Sequence, residues 1–282
     1  MAPVAGALAP APRPHAAQAA PPLYLALGDS LAAGLQPDAR GHDRPTKQGY
    51  VDVVARSLTR SHPGLVHRTL SCGGATAVTL VRGGSGCQPR GEPSQLERAE
   101  DLLAAHPETV LVTVNIGDND LEACVDGSDG SADRRCLDRG EARVRRYLPE
   151  IARRLRAAAP PGTRIVGLVD YDQFLSLWLD GPRGRAAARR SLEIIRSLNA
   201  LMSGIYRGAG IEVADGGRRF ASTDLTHRRR LPGHGSVPLA VYNICTLTWA
   251  CSAPPIGHDD HARRAGYYQL AESILDVLQN RP

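Results

Sequence analysis

Aromatic residues are scarce in this chain: two Trp, two Phe and eight Tyr among 282 residues. A basic surface interleaved with aromatic platforms, which binds single-stranded nucleic acid by stacking, is therefore not encoded. The densest cationic run, His227-Arg228-Arg229-Arg230, is short and stands alone. The net charge of +5 comes from dispersed arginines and reads as a solvated basic surface, so no nucleic-acid partner is expected. No apolar run is long enough to cross a bilayer, which argues against a transmembrane segment. The chain also lacks any Cys-x-x-Cys and any cysteine pair with histidine at zinc-finger spacing. No metal and no cofactor is expected. What is present, 42% hydrophobic and 22% charged residues, suits one large α/β domain with a substantial core.

The six cysteines fall into three pairs close in sequence. An even number in this grouping fits a disulfide framework in an oxidising compartment better than metal or free thiols. The expected bridges are the local ones, Cys72–Cys87, Cys124–Cys136 and Cys245–Cys251, and the expected location is extracellular. The first residues, Met1–Pro22, are rich in Ala and Pro, and Ala16-Ala17-Gln18-Ala19-Ala20 resembles a signal-peptidase region. No basic segment precedes it, and Pro10, Pro12 and Pro14 interrupt its apolar part. It reads as a truncated export signal or a disordered leader outside the fold. A single domain is expected over 23–282, acting as a monomer.

Along that domain, strands and helices alternate. Strand character marks Tyr24–Gly28, Val66–Cys72, Thr109–Ile116, Arg164–Val169 and Ile211–Asp215. Helical spacing marks 31–35, 50–59, 94–105, 141–159, 186–206 and 262–278, with Ser94 as an N-cap. The run Thr109 to Ile116 is nearly continuous in β-branched residues, as in a strand buried on both faces of a parallel sheet. Segments 36–47 and 216–257 read as irregular. The alternation predicts a five-stranded parallel sheet with helices on both faces, a three-layer α/β/α sandwich.

Polar groups stand where these strands end, the place where open α/β sheets build their sites. Ser30 follows the first strand in Gly28-Asp29-Ser30-Leu31. There it can be a nucleophile, or Asp29 and Ser30 can simply cap the next helix. Gly74 follows the second strand, and Asn119 the third in Gly117-Asp118-Asn119-Asp120. His261 precedes the last helix and titrates near neutral pH, as a base for Ser30 must. The backbone N–H groups of Ser30 and Gly74 and the amide of Asn119 can form an oxyanion hole. Asp118 and Asp120 offer too few oxygen ligands for a hard cation.

Four blocks in this order resemble the SGNH/GDSL hydrolases: Gly28-Asp29-Ser30-Leu31, Gly73-Gly74-Ala75-Thr76, Gly117-Asp118-Asn119-Asp120, and Asp259-Asp260-His261 before Ala265-Gly266-Tyr267. The resemblance runs from Leu23 to the C-terminus. It is nearest to secreted actinobacterial esterases and lipases, through Tyr171-Asp172-Gln173-Phe174-Leu175 and Cys245-Thr246-Leu247-Thr248-Trp249-Ala250-Cys251. It implies a flavodoxin-like sandwich and a metal-free serine esterase or lipase acting on a small-molecule or lipid ester. Ser30 would attack, His261 would serve as base, and Ser30, Gly74 and Asn119 would hold the oxyanion. An acyltransferase on the same site, or an inactive module that keeps the fold, are the alternatives.

The sequence departs from the family pattern at the acid. Relatives place Asp three residues before the histidine, where His258 stands here, and Ala262 replaces the usual Pro after it. Asp259 shares a face with His261 if the segment is extended, and Asp260 would then point away. A backbone carbonyl of His258 or Asp259 is the other way to orient the imidazole. Trp178 and Trp249 read as packing residues or as pocket walls.

Overall fold

The computed structural model describes residues 20–125 and 131–280. The leader expected over Met1–Pro22 lies outside the described residues, except for Ala20–Pro22. The sheet starts at β1 (Leu23–Gly28), which is buried throughout. The short hairpin β2 (Leu35–Pro37) and β3 (Asp43–Pro45) follows, then α1 (Tyr50–Leu58) and β4 (Val66–Thr69). Next come α2 (Ala77–Arg82), α3 (Gln95–Ala105), β5 (Thr109–Asn115), α4 (Asn119–Glu122) and α5 (Arg134–Ala158). β6 (Arg164–Val169) leads into a 3-10 helix (Gln173–Leu179) and α6 (Gly181–Gly208). The chain closes with β7 (Glu212–Asp215), α7 (Gly216–Arg219), the hairpin β8 (Arg228–Leu231) and β9 (Gly235–Pro238), α8 (Leu239–Leu247) and α9 (Arg264–Gln279).

The main sheet is five-stranded in the order β4-β1-β5-β6-β7, and every pairing in it is parallel. Both faces are covered, with one apolar core on each side. This is the expected three-layer sandwich. Helix α5 shows how the sequence drives it. Val144, Leu148, Ile151 and Leu155 recur at helical spacing and are fully buried, each worth roughly 1.5–3 kcal/mol of burial. Asp133 caps that helix by accepting from the Cys136 N–H, so it starts earlier than the apolar stripe suggests. Ser94 caps α3 in a reciprocal box with Glu97.

Three expectations change. Residues 31–34 form a turn and not a helix, and the chain enters β2 at Leu35. Segments 36–47 and 216–257 are ordered where irregular chain was expected, as the β2–β3 hairpin and as α7, β8–β9 and α8. These elements are too short for periodicity to register. The second strand also ends at Thr69, before Cys72.

Bonds join Cys72 to Cys87, Cys124 to Cys136 and Cys245 to Cys251, with Cα separations of 5.8, 5.4 and 4.9 Å. Replacing both Cys72 and Cys87 with serine should cost ~3 kcal/mol, the value for a loop of about this length. The check is the urea midpoint of the pair variant against the unmodified protein.

Candidate active site

β1 ends at Gly28, where φ is +145° and a Cβ would lie 2.2 Å from the Asn115 carbonyl oxygen of β5. Only glycine lets the two strands end this close together. The buried Gln95 clamps the spot, accepting from the Gly28 N–H at 3.0 Å and donating to its carbonyl at 2.8 Å. The chain then turns sharply. Asp29 accepts from the Leu31 N–H at 3.1 Å, and the Ser30 carbonyl accepts from the Leu35 N–H at 3.0 Å. Asp29 therefore shapes a turn, and Ser30 sits on it half-buried with no helix behind it to cap.

The neighbouring strands supply the other groups. The Ala75 N–H donates to the Cys72 carbonyl at 3.0 Å, closing a turn in which Gly74 takes φ +70°. A Cβ on Gly74 would meet nothing within 4 Å, so its surroundings are open. Asn119 opens α4 and donates from Nδ2 to the Ala75 carbonyl at 3.0 Å, which leaves a second amide proton. Asp120 accepts from the Ala77 N–H at 2.8 Å and from Arg143 Nε at 3.1 Å, locking α2, α4 and α5 together. The loops after β4, β1 and β5, adjacent in the sheet, thus bring Gly74, Ser30 and Asn119 to one carboxyl edge.

His261 is buried, and its Nδ1 lies 3.1 Å from Asp259 Oδ1, 3.3 Å from Asp43 Oδ1 and 3.7 Å from Asp260 Oδ1. Carboxylates at Nδ1 hold the proton there and leave Nε2 as the basic nitrogen. The Asp259 oxygen also accepts from the His261 backbone N–H at 2.9 Å. Thus Asp259 reaches the ring through a turn and not through a shared strand face. His258 has φ +63°, which bends the segment. Asp260, expected to point away, approaches the ring as well. The Tyr171 hydroxyl donates to the Asp260 carbonyl at 2.7 Å, and the backbone N–H of Trp249 donates to the His261 carbonyl at 3.0 Å. Tyr267 Oη donates to the Leu35 carbonyl at 2.6 Å, tying α9 to the chain leaving Ser30. Trp178 and Trp249 lie under Arg189 and Arg263 in cation–π contacts.

Charge is concentrated here. Burial alone would lower the His261 pKa, but the Asp259 hydrogen bond and the charges of Asp260, Asp259 and Asp43 outweigh it and raise it to about 9. Burial and a hydrogen bond with Asp259 push Asp43 up to about 6. Burial works against ionised Asp259 too, yet the bond to His261 and its positive charge hold it below the usual carboxylate range. Beneath the site, burial and repulsion from Asp170 raise Asp29 and Asp118, and burial raises Asp170 to about 7. Asn115 Nδ2 donates to both Asp170 oxygens, and Gln173 Nε2 donates to Asp118 Oδ2 at 3.2 Å.

Asp43 was not singled out from sequence. It lies in a polar hairpin with no periodicity, more than two hundred residues from its partner His261. Only the fold brings them together.

The family model for the GDSL-like lipase/acylhydrolase family matches residues 26–267. Among solved structures, phospholipase A1 from Streptomyces albidoflavus is similar at TM-score 0.57 and 22% identity, covering 92% of this chain and 99% of that one. An extracellular lipase from Streptomyces rimosus is similar at TM-score 0.55 and 18% identity, with 91% and 99% covered. A catalytic mutant of an acetylxylan esterase from Geobacillus stearothermophilus is similar at TM-score 0.51 and 15% identity, with 92% and 95% covered. At these identities the likeness establishes the shared fold. No curated protein matches the chain.

Proposed function

Since the chain belongs to the GDSL-like lipase/acylhydrolase family and is a carboxylic ester hydrolase, we propose that it works through an acyl-enzyme on Ser30 and is secreted. The observation that carries the mechanism is the meeting of Ser30, Gly74 and Asn119 at one sheet edge, with His261 held at Nδ1 by carboxylates. Ser30 Oγ attacks the ester carbonyl as His261 Nε2 takes its proton. The oxyanion is held by the N–H groups of Ser30 and Gly74 and the Asn119 amide. The intermediate collapses, and the alcohol leaves with the proton from His261. Water, deprotonated by the same nitrogen, then releases the acid and restores Ser30. Asp259 keeps the imidazole in the working tautomer and stabilises its charged form.

Secretion rests on three disulfides, which persist in oxidising compartments. Among the described residues, no helix is long and apolar enough to cross a membrane.

A fluorophosphonate probe tests the nucleophile. Labelling of the unmodified protein and none of Ser30→Ala is expected; equal labelling of both would remove Ser30 from the mechanism. Asn119→Ala should lose ~3 kcal/mol of transition-state stabilisation, read as a fall in kcat on 4-nitrophenyl butyrate. A change confined to KM would mean that Asn119 binds substrate and transition state alike.

A further inference from the structure

A cavity of about 190 Å³ opens between α4, the 3-10 helix and the loop that carries His261. Its walls differ. Val125 and Phe174 form an apolar side, while Glu122, Ser176, His258 and Asp260 form a polar one. Its position matters for the reaction. Glu122 ends the short helix that Asn119 begins, and Asp260 is bonded directly to His261 in the chain. The cavity therefore borders both the oxyanion side and the base side of the site.

The polar wall is rich in acceptors, and no lysine or arginine lines it among the described residues. The Ser176 hydroxyl donates to the Gln173 carbonyl at 3.0 Å, so its oxygen remains an acceptor. The mechanism uses neither Ser176 nor Glu122. We infer that this cavity is the subsite for the leaving alcohol, and that it takes an uncharged alcohol bearing free hydroxyl groups while rejecting a phosphorylated one. The inference rests on the ester-hydrolase reading above and specifies its substrate class.

Three observations argue for that class. Burial and the nearby charges of Asp260 and Asp118 raise Glu122 to about 8, so it is mostly a neutral carboxyl, hydrogen-bonded to Asp260. The proton shared between them is spent, so the pair keeps carboxyl oxygens as acceptors, which suits the O–H donors of an alcohol. A phosphate would instead meet a carboxylate with no lysine or arginine to neutralise it. The volume is about six times that of a water molecule, which suits glycerol or one sugar ring better than a long chain. Phe174 gives the carbon face of such a group an apolar surface.

The test compares 1-butyrylglycerol with 1-butyrylglycerol 3-phosphate, which share acyl group and linkage, with 4-nitrophenyl butyrate as reference. For the unmodified protein, kcat/KM on the neutral glycerol ester should exceed that on the phosphate by at least about tenfold. Ser176→Lys puts a cation on the cavity wall and should shrink the ratio to roughly threefold or less. Glu122→Gln, nearly isosteric, should raise KM for the glycerol ester more than for the nitrophenyl ester. Turnover of 4-nitrophenyl butyrate with equal rates on the two glycerol esters would overturn the subsite and leave the hydrolase reading standing. So would a ratio that neither variant moves. No turnover of 4-nitrophenyl butyrate would overturn the hydrolase reading and the subsite with it.

Discussion

Ser30→Ala, His261→Ala and the double variant should all lose activity on 4-nitrophenyl butyrate by nearly the same factor, as large as about a millionfold in kcat. In the proposed mechanism the nucleophile and the base act as a unit. Without His261, the Ser30 hydroxyl is a poor nucleophile at neutral pH; without Ser30, the imidazole has no proton to take. Removing the second group then costs almost nothing more. The residual rate should stay above that in water, because the oxyanion donors proposed at Gly74 and Asn119 remain. The measurement is a cycle of four proteins at one pH, each checked for fold by circular dichroism. Losses that multiply in the double variant would mean that the two residues act independently.

The pH profile should be unusually alkaline. The base must be neutral to take a proton, and His261 is raised to about 9. kcat/KM should therefore climb about tenfold per pH unit and level off above about pH 9, leaving pH 6 roughly a thousandfold below the plateau. Asp43→Asn removes one of the charges at Nδ1 and should move this limb toward neutral pH. A limb unmoved by that change would exclude Asp43 from control of the base. Stability should run the other way. A histidine whose pKa rises on folding contributes stability that is fully present below its unfolded value near 6.5 and is lost as pH passes 9. The thermal midpoint should thus fall over the window in which activity rises.

Much of this was legible in sequence, and the residues explain which parts. The β-branched run of β5 and the buried stripe of α5 carry a period that survives without neighbours, so the layers could be read directly. Ser30, Gly74 and Asn119 could be placed because each follows a recognisable strand. The surroundings of His261 could not. Asp260 approaches the ring in a segment where His258 takes a φ of +63°, and local alternation gives no hint of either. Asp43 and Glu122 matter through tertiary contact alone. The short elements at 216–247 are set by packing against α9 and the 3-10 helix and not by their own periodicity.

The three disulfides have a consequence beyond the stability of the whole chain. None of their cysteines lies in a strand of the sheet. Cys72 directly precedes the Gly73-Gly74 turn, Cys124 follows the helix of Asn119 and Glu122, and Cys245–Cys251 encloses Trp249, whose backbone N–H holds the His261 carbonyl. Each bond fastens chain next to a group of the proposed site, while the scaffold beneath is held by its own apolar layers. A mild reductant should therefore separate two events that heat would merge. Turnover would fade first as the loops loosen, with far-ultraviolet circular dichroism still that of a folded protein. Reoxidation should restore turnover without any need to refold the sheet.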